Sequence, residues 1–254
     1  EQGIVTVDTL KALNADAAWF RQRLAGRRLS LVGVCVGASL ALLAAEQQPA
    51  DVDAVVGLDP YASLADLLQA AATGAGRGID GHEAPFAMAG WVQADLAKSL
   101  ASTVPDAPSR DALLALLASP ADEPLAAFHS PRPAGLSPSG AAVWRLLGAT
   151  DASSFAMAYA ALPQRIKDQI DELSPLPNAS ADLRAPVLVA APYDDFAFPA
   201  GEATRLQQAR PDVVQLTRSS ALDHVSPAFG PGVLAGYWRL WRFADAAVQL
   251  MSKA

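Results

Sequence analysis

The chain has 254 residues, 52% of them hydrophobic and 18% charged, which is enough for one large buried core or for two domains. Its net charge is −7 and its isoelectric point is near 4.9; such a surface repels phosphate backbones, so nucleic acid is not an expected partner. No stretch reaches the roughly 18 to 20 uninterrupted apolar residues of a membrane span. The single cysteine, Cys35, excludes an internal disulfide, and the scattered His82, His129 and His224 do not form a zinc cluster.

The first residues, Glu1-Gln2-Gly3-Ile4, show neither an initiator Met nor a signal-peptide pattern, as in a processed or truncated chain, and the expected compartment is the cytoplasm. Residues 8–24 read as an amphipathic helix, because Leu10, Leu13, Ala17, Phe20 and Leu24 recur at helical spacing and Gly26 stands at the C-cap. Leu29 to Val34 is an apolar run suited to a buried parallel strand. It enters a small-residue helix directly through Gly33-Val34-Cys35-Val36-Gly37. A second strand, 54–58, ends in Asp59-Pro60, which reads most simply as a turn.

From about Ser63 to Ala181 no strand is expected. Helical runs such as Asp111 to Ala118 and Ser139 to Leu147 are separated by Pro-, Gly- and Ser-rich breaks. The Gly74 to Gly78 run lacks the context of a phosphate loop and reads as a flexible loop, and His82, Glu83 and His129 read as solvated. Trp91, Trp144, Met157 and Tyr159 read as helix-packing residues. Further strands are expected at 186–191 and 213–217, with a helix over 201–208 between them and a final helix over 234–251. The fold class is therefore α/β: a mostly parallel sheet flanked by helices, its core formed by 1–62 and 182–254, with 63–181 as an all-helical cap insertion.

Three features carry chemistry. Gly-x-Cys-x-Gly between a strand and a helix is the pattern of a nucleophile elbow, in which small residues at Gly33 and Gly37 let the two backbones approach and the next amide, that of Val36, faces a developing oxyanion. By itself the motif fits a packed structural thiol equally well. Asp194-Asp195 follows the third strand at its carboxyl end, where parallel sheets place ligands. His224 lies in a loop past the last strand and titrates near neutrality. The order nucleophile, acid, histidine is that of a catalytic triad on this kind of sheet.

From about Val5 onward the chain resembles the carboxyl-terminal part of α/β-hydrolases, in particular a bacterial branch. The resemblance rests on Gly33-x-Cys35-x-Gly37 with Leu40 to Ala45, Leu162-Pro163, Leu173-Ser174-Pro175, Asp195-x-x-Phe198-Pro199, His224-Val225-x-Pro227 and Leu240-Trp241-Arg242-Phe243. That branch carries Ser where this chain has Cys35. Dienelactone hydrolases and polyhydroxyalkanoate synthases resemble it in using Cys at the elbow. Asp59 resembles the alternative acid of some thioesterases. The resemblance implies cleavage of an ester or thioester bond in a small-molecule acyl substrate by Cys35, His224 and Asp195, with half of an oxyanion hole from Val36 and with neither metal nor organic cofactor.

A complete fold of this kind needs roughly 60 residues or more before the elbow, and 34 precede Cys35. The leading strands and the loop that donates the second oxyanion N–H are thus expected to be missing. Two consequences are expected. A catalytically silent binding or interaction module becomes the alternative function. The sheet edge beside the elbow strand should be covered by a partner chain, a dimer mate or the Gly3 to Val7 segment.

Overall fold

The computed structural model describes residues 4–24, 26–118, 123–178 and 183–252. In chain order the elements are α1 (Val7–Arg23), β1 (Ser30–Val34), α2 (Val36–Gln47), β2 (Ala54–Leu58), α3 (Leu64–Thr73), β3 (Ala75–Arg77), β4 (Glu83–Pro85), α4 (Gly90–Ser102), α5 (Ala107–Leu116), a 3-10 turn (Ala126–His129), α6 (Pro138–Leu147), α7 (Ala152–Ala160), α8 (Gln164–Glu172), α9 (Pro175–Asn178), β5 (Val187–Ala191), α10 (Gly201–Ala209), β6 (Val214–Arg218), β7 (Leu222–Asp223), β8 (Ser226–Pro227) and α11 (Leu234–Ser252). They form two compact units, one from residues 1–7, 64–76 and 83–171, the other from 8–63, 77–82 and 172–254.

The second unit holds a parallel sheet in the order β1-β2-β5-β6, with Ser30 opposite Ala54, Val55 opposite Val187 and Val187 opposite Val214. Alternate residues along a strand face opposite ways, and both sides of the central strands are covered. Leu31, Val55, Val187, Val189 and Val214 pack with Ala41, Leu42 and Ala45 of α2 and Ala203 and Leu206 of α10. Val56, Leu58, Leu188 and Ala190 pack on the other side with Leu240, Phe243 and Ala247 of α11. All residues of β5 are buried, and each large apolar side chain so placed stabilises the fold by about 1.5–3 kcal/mol. β1 gains less. It is the edge strand, and Val32 and Val34 remain 64% and 45% exposed.

Three expectations are corrected here. First, the inserted segment is not all-helical, because β3 pairs with β4. The Gly74 to Gly78 run is therefore not a flexible loop: it contributes a strand, entered through Gly74 at φ +66°, a conformation a side chain would strain. Second, the Gly3 to Val7 segment adds no strand to the sheet among the described residues. Gly3 lies outside the described residues, Ile4 to Thr6 form no strand, and the Val5 N–H donates to Ser99 Oγ at 3.0 Å. Third, the apolar stripe of α1 is only half used. Leu10 and Ala17 are buried, but Phe20 is 48% exposed, with Trp19 edge-on to it and Arg23 over the Trp19 ring. Polar ties also hold this helix: Arg21 pairs with Asp53 at 2.8 Å and Asn14 donates to Gln47 at 2.6 Å.

Candidate active site

Each strand of the parallel sheet delivers one residue to a common point beyond its carboxyl end. Cys35 follows β1 at once, with φ 55° and ψ −129°, and stands at the N-cap of α2 without spending its thiol on capping. Its N–H donates to the Leu58 carbonyl at 2.8 Å, which locks the turn to β2. Gly33 is what permits this turn, since a Cβ there would lie 2.4 Å from the Gly37 oxygen and 2.5 Å from the Ala38 Cα. Gly37 is different: a Cβ there would meet nothing within 4 Å, so packing does not demand a glycine at that position. Val36 begins α2, and the N–H groups of a first helical turn have no acceptor within the helix.

Asp59 follows β2 with φ 48° and is buried, its N–H bonded to the Ala190 carbonyl at 2.8 Å. Asp195 lies on the loop after β5. Its Oδ1 accepts the amides of Ala197 at 2.5 Å and Phe198 at 3.3 Å, while its neighbour Asp194 is exposed. Arg218, the last residue of β6, donates to the carbonyls of Pro192 and Ala200 and so clasps both ends of that loop.

The loop histidine sits in a tight turn. His224 is the first residue of a two-residue turn between β7 and β8, with φ 55°, and short hairpin turns call for positive φ at such a position. The ring is buried, edge-on to Phe198 at 5.4 Å and tilted against Phe196 at 5.5 Å. Its Nδ1 is 2.8 Å from Asp59 Oδ2 and 2.9 Å from Asp195 Oδ2. The Cys35 thiol is near enough to act on the His224 imidazole and raises it.

The electrostatics follow from this crowding. Burial disfavours charge on His224, but its bonds to Asp195, Asp59 and Cys35 outweigh burial and raise the imidazole well above its ordinary range. Burial pushes the Asp59 carboxyl up, and the neighbouring Asp195 pushes it further. Burial would raise Asp195 too, but the bonds from His224, Asp59 and the Ala197 amide prevail and lower it. Asp59 and Asp195 act on each other's proton, so their protons belong to the pair.

Of the residues expected from sequence, Asp195 and His224 are in direct contact, and Cys35 stands at the start of α2. Asp59 was read as a turn. It does turn the chain, and it also points its carboxyl at His224. The signal for it was present in its position at a strand's carboxyl end, but Asp-Pro is ordinary turn chemistry and masked it. Asp59, Asp195 and His224 each present a donor atom within 4.8 Å of the others, a spacing a cation could use. The histidine–carboxylate hydrogen bonds account for the same spacing. His82 and His129 are exposed, whereas Trp144 is buried against Phe128. No helix among the described residues is long and apolar enough to cross a membrane.

Residues 8–231 match the family model described as alpha/beta hydrolase fold. Comparison with curated proteins gives no match. Among solved structures, the chain is similar to an alpha/beta hydrolase enzyme from a Medee basin deep-sea metagenome library, at 13% identity and TM-score 0.47, covering 100% of this chain and 74% of that one. It is similar to a monoacylglycerol lipase from Paleococcus ferrophilus at 16% identity and TM-score 0.43, covering 98% and 77%. An epoxide hydrolase from Bacillus megaterium gives 12% identity and TM-score 0.41, covering 93% and 76%. With 254 residues in the chain and the match running from residue 8 to residue 231, the chain belongs to the alpha/beta hydrolase fold family.

Proposed function

We propose that this protein hydrolyses an ester or thioester bond in a small acyl substrate, with Cys35 as nucleophile, His224 as base and Asp195 as the carboxylate that orients the base. The observation that carries the reading is the position of His224, whose Nδ1 stands 2.9 Å from Asp195 Oδ2, with the Cys35 thiol near enough to act on the ring. In this reaction His224, whose imidazole is held well above its ordinary range, already carries the proton of Cys35, and Sγ attacks the acyl carbonyl as the thiolate; Nε2 is the ring nitrogen not engaged by carboxyl groups. The tetrahedral oxyanion takes the Val36 N–H at the positive end of α2. His224 then protonates the departing alcohol or thiol. Water, deprotonated by His224, attacks the resulting thioester, and the acid leaves as Cys35 returns to the thiolate.

A silent binding module is the second reading, favoured by one observation: β1 is the edge strand among the described residues, so no adjoining strand there brings a second amide donor to Cys35. Loss of one oxyanion donor costs about 100- to 1000-fold in rate. Incubation with p-nitrophenyl butyrate, followed by intact mass measurement, separates the two. Stoichiometric acylation that maps to Cys35 is expected. A folded protein that neither releases p-nitrophenol nor reacts with iodoacetamide at neutral pH would leave the silent module as the better account. The reading also includes a second copy of the chain covering the free edge of β1. Sedimentation that remains monomeric at high protein concentration would remove that partner.

A further inference from the structure

Asp59 is the buried titratable group that the proposed reaction leaves unused. Its Oδ2 stands 2.8 Å from His224 Nδ1, and Asp195 Oδ2 stands 2.9 Å from the same nitrogen. The donor oxygens of the two carboxyl groups lie within 4.8 Å of each other, and each carboxyl acts on the other's proton. Two carboxylates cannot both stay ionised at such separation in a site this dry, so one of them holds a proton. The backbone decides which. Asp195 Oδ1 takes the N–H of Ala197 and of Phe198, donors that stabilise an anion, whereas Asp59 meets Asp195 and His224.

The remaining charges around the pair are few. Arg218 on β6 is near enough to favour the anion on either aspartate, and Cys35 is a further neighbour that acts on His224. Arg218 acts on both, so it does not reverse the preference set by the amides. Asp59 also occupies a left-handed backbone conformation at φ 48°, which costs an aspartate on the order of 1 kcal/mol.

From the shared contact on Nδ1 and the amide donors on Asp195, we propose that Asp59 is a positioning residue that stays protonated, donates its O–H to Asp195 and so fixes the anion against which His224 is held. The base of the proposed hydrolysis is what it positions, so its catalytic meaning rests on that reading. The proton arrangement itself needs no reactive Cys35.

The test is an NMR titration of the full chain carrying ¹⁵N-labelled histidine, in which the His224 ring is followed with pH. In Asp59→Asn an amide N–H replaces the carboxyl O–H as donor to Asp195 and its carbonyl can still accept from Nδ1–H. The His224 midpoint should therefore stay within about half a pH unit of the parent, whereas Asp195→Asn should lower it by about one unit or more. Asp59→Ala, which can donate nothing, should lower it relative to Asp59→Asn. A fall of one unit or more in Asp59→Asn would make Asp59 the anion and overturn the proposal. So would a midpoint equal to the parent's in both Asp59 variants. If Asp59→Ala does not fold by far-UV circular dichroism, the Asp59→Asn and Asp195→Asn pair still decides. An inert Cys35 would defeat the hydrolase reading and leave this titration unchanged.

Discussion

Glu202 on α10 places Oε2 2.8 Å from the amide nitrogen of Ala62 and 2.9 Å from that of Ser63, so one buried carboxylate fastens the loop that follows Asp59. The same carboxylate pairs with Arg205 at 3.0 Å. Ala62 and Ser63 then carry N–H groups whose acceptor is a single side chain. Removing it leaves buried donors unsatisfied at about 1–3 kcal/mol each. Glu202→Ala should lose about 2–5 kcal/mol of stability by urea unfolding, and a loss below about 0.5 kcal/mol would mean that water replaces the carboxylate without penalty.

Gly33 and Gly37 flank the same cysteine but should respond in opposite ways to one added methyl group. At Gly33 the new Cβ would sit 2.4 Å from a backbone oxygen, which no rotamer relieves, so Gly33→Ala should cost about 3 kcal/mol or abolish soluble expression. At Gly37 the space is open and the residue is helical, so Gly37→Ala should be neutral or stabilising by up to about 1 kcal/mol. Thermal unfolding of the two variants side by side checks this, and equal losses in both would contradict the geometry.

Glu46 should make stability fall with pH. Burial pushes its carboxyl up to about 8 from 4.5 against the pull of Arg210, and its Oε2 has no hydrogen-bond partner among the described residues. A carboxyl raised in the folded state binds more protons there than in the unfolded chain. Its contribution is therefore fully present below the unfolded value and is lost as pH rises through the folded one. The melting temperature should decline between about pH 5 and pH 8 by an amount worth several kcal/mol. Glu46→Gln should flatten that decline, and parallel curves for parent and variant would show that the carboxyl ionises freely in the folded protein.

Alkylation of Cys35 by iodoacetamide at pH 7 reads the base directly. His224→Ala should slow it by about 10-fold or more, since a positioned base contributes at least that much. Asp195→Asn should slow it less, because the imidazole remains but with its tautomer and orientation loosened. If both variants react at the parent's rate while keeping their fold, His224 is not the base of this thiol.

Much of this fold was legible because buried parallel strands are short apolar runs whatever surrounds them. The runs at 54–58 and 187–191 could hardly be anything else between helices. The β3–β4 pair was not legible: each strand is three residues long, and Glu83 to Pro85 is exposed throughout, so no alternation marks it. Phe20 fits the period of α1 yet points outward, because periodicity gives a helix its faces and not what lies against them. In the site, Cys35 was visible through the glycine its turn requires. Asp59 was hidden because one dipeptide serves both as a turn and as a side-chain anchor, and only its φ of 48° and its distance to His224 separate the two uses.

Cys35, Asp59 and His224 are the non-glycine residues with positive φ among the described residues, and the last two touch at 2.8 Å. Each would sit more comfortably as glycine, which adopts such angles without the steric cost that a side chain incurs. On the proposed reading, the backbone cost at these three positions goes with a thiol, a carboxyl and an imidazole that glycine could not supply, so glycine variants there should gain backbone ease and lose the groups the reaction uses.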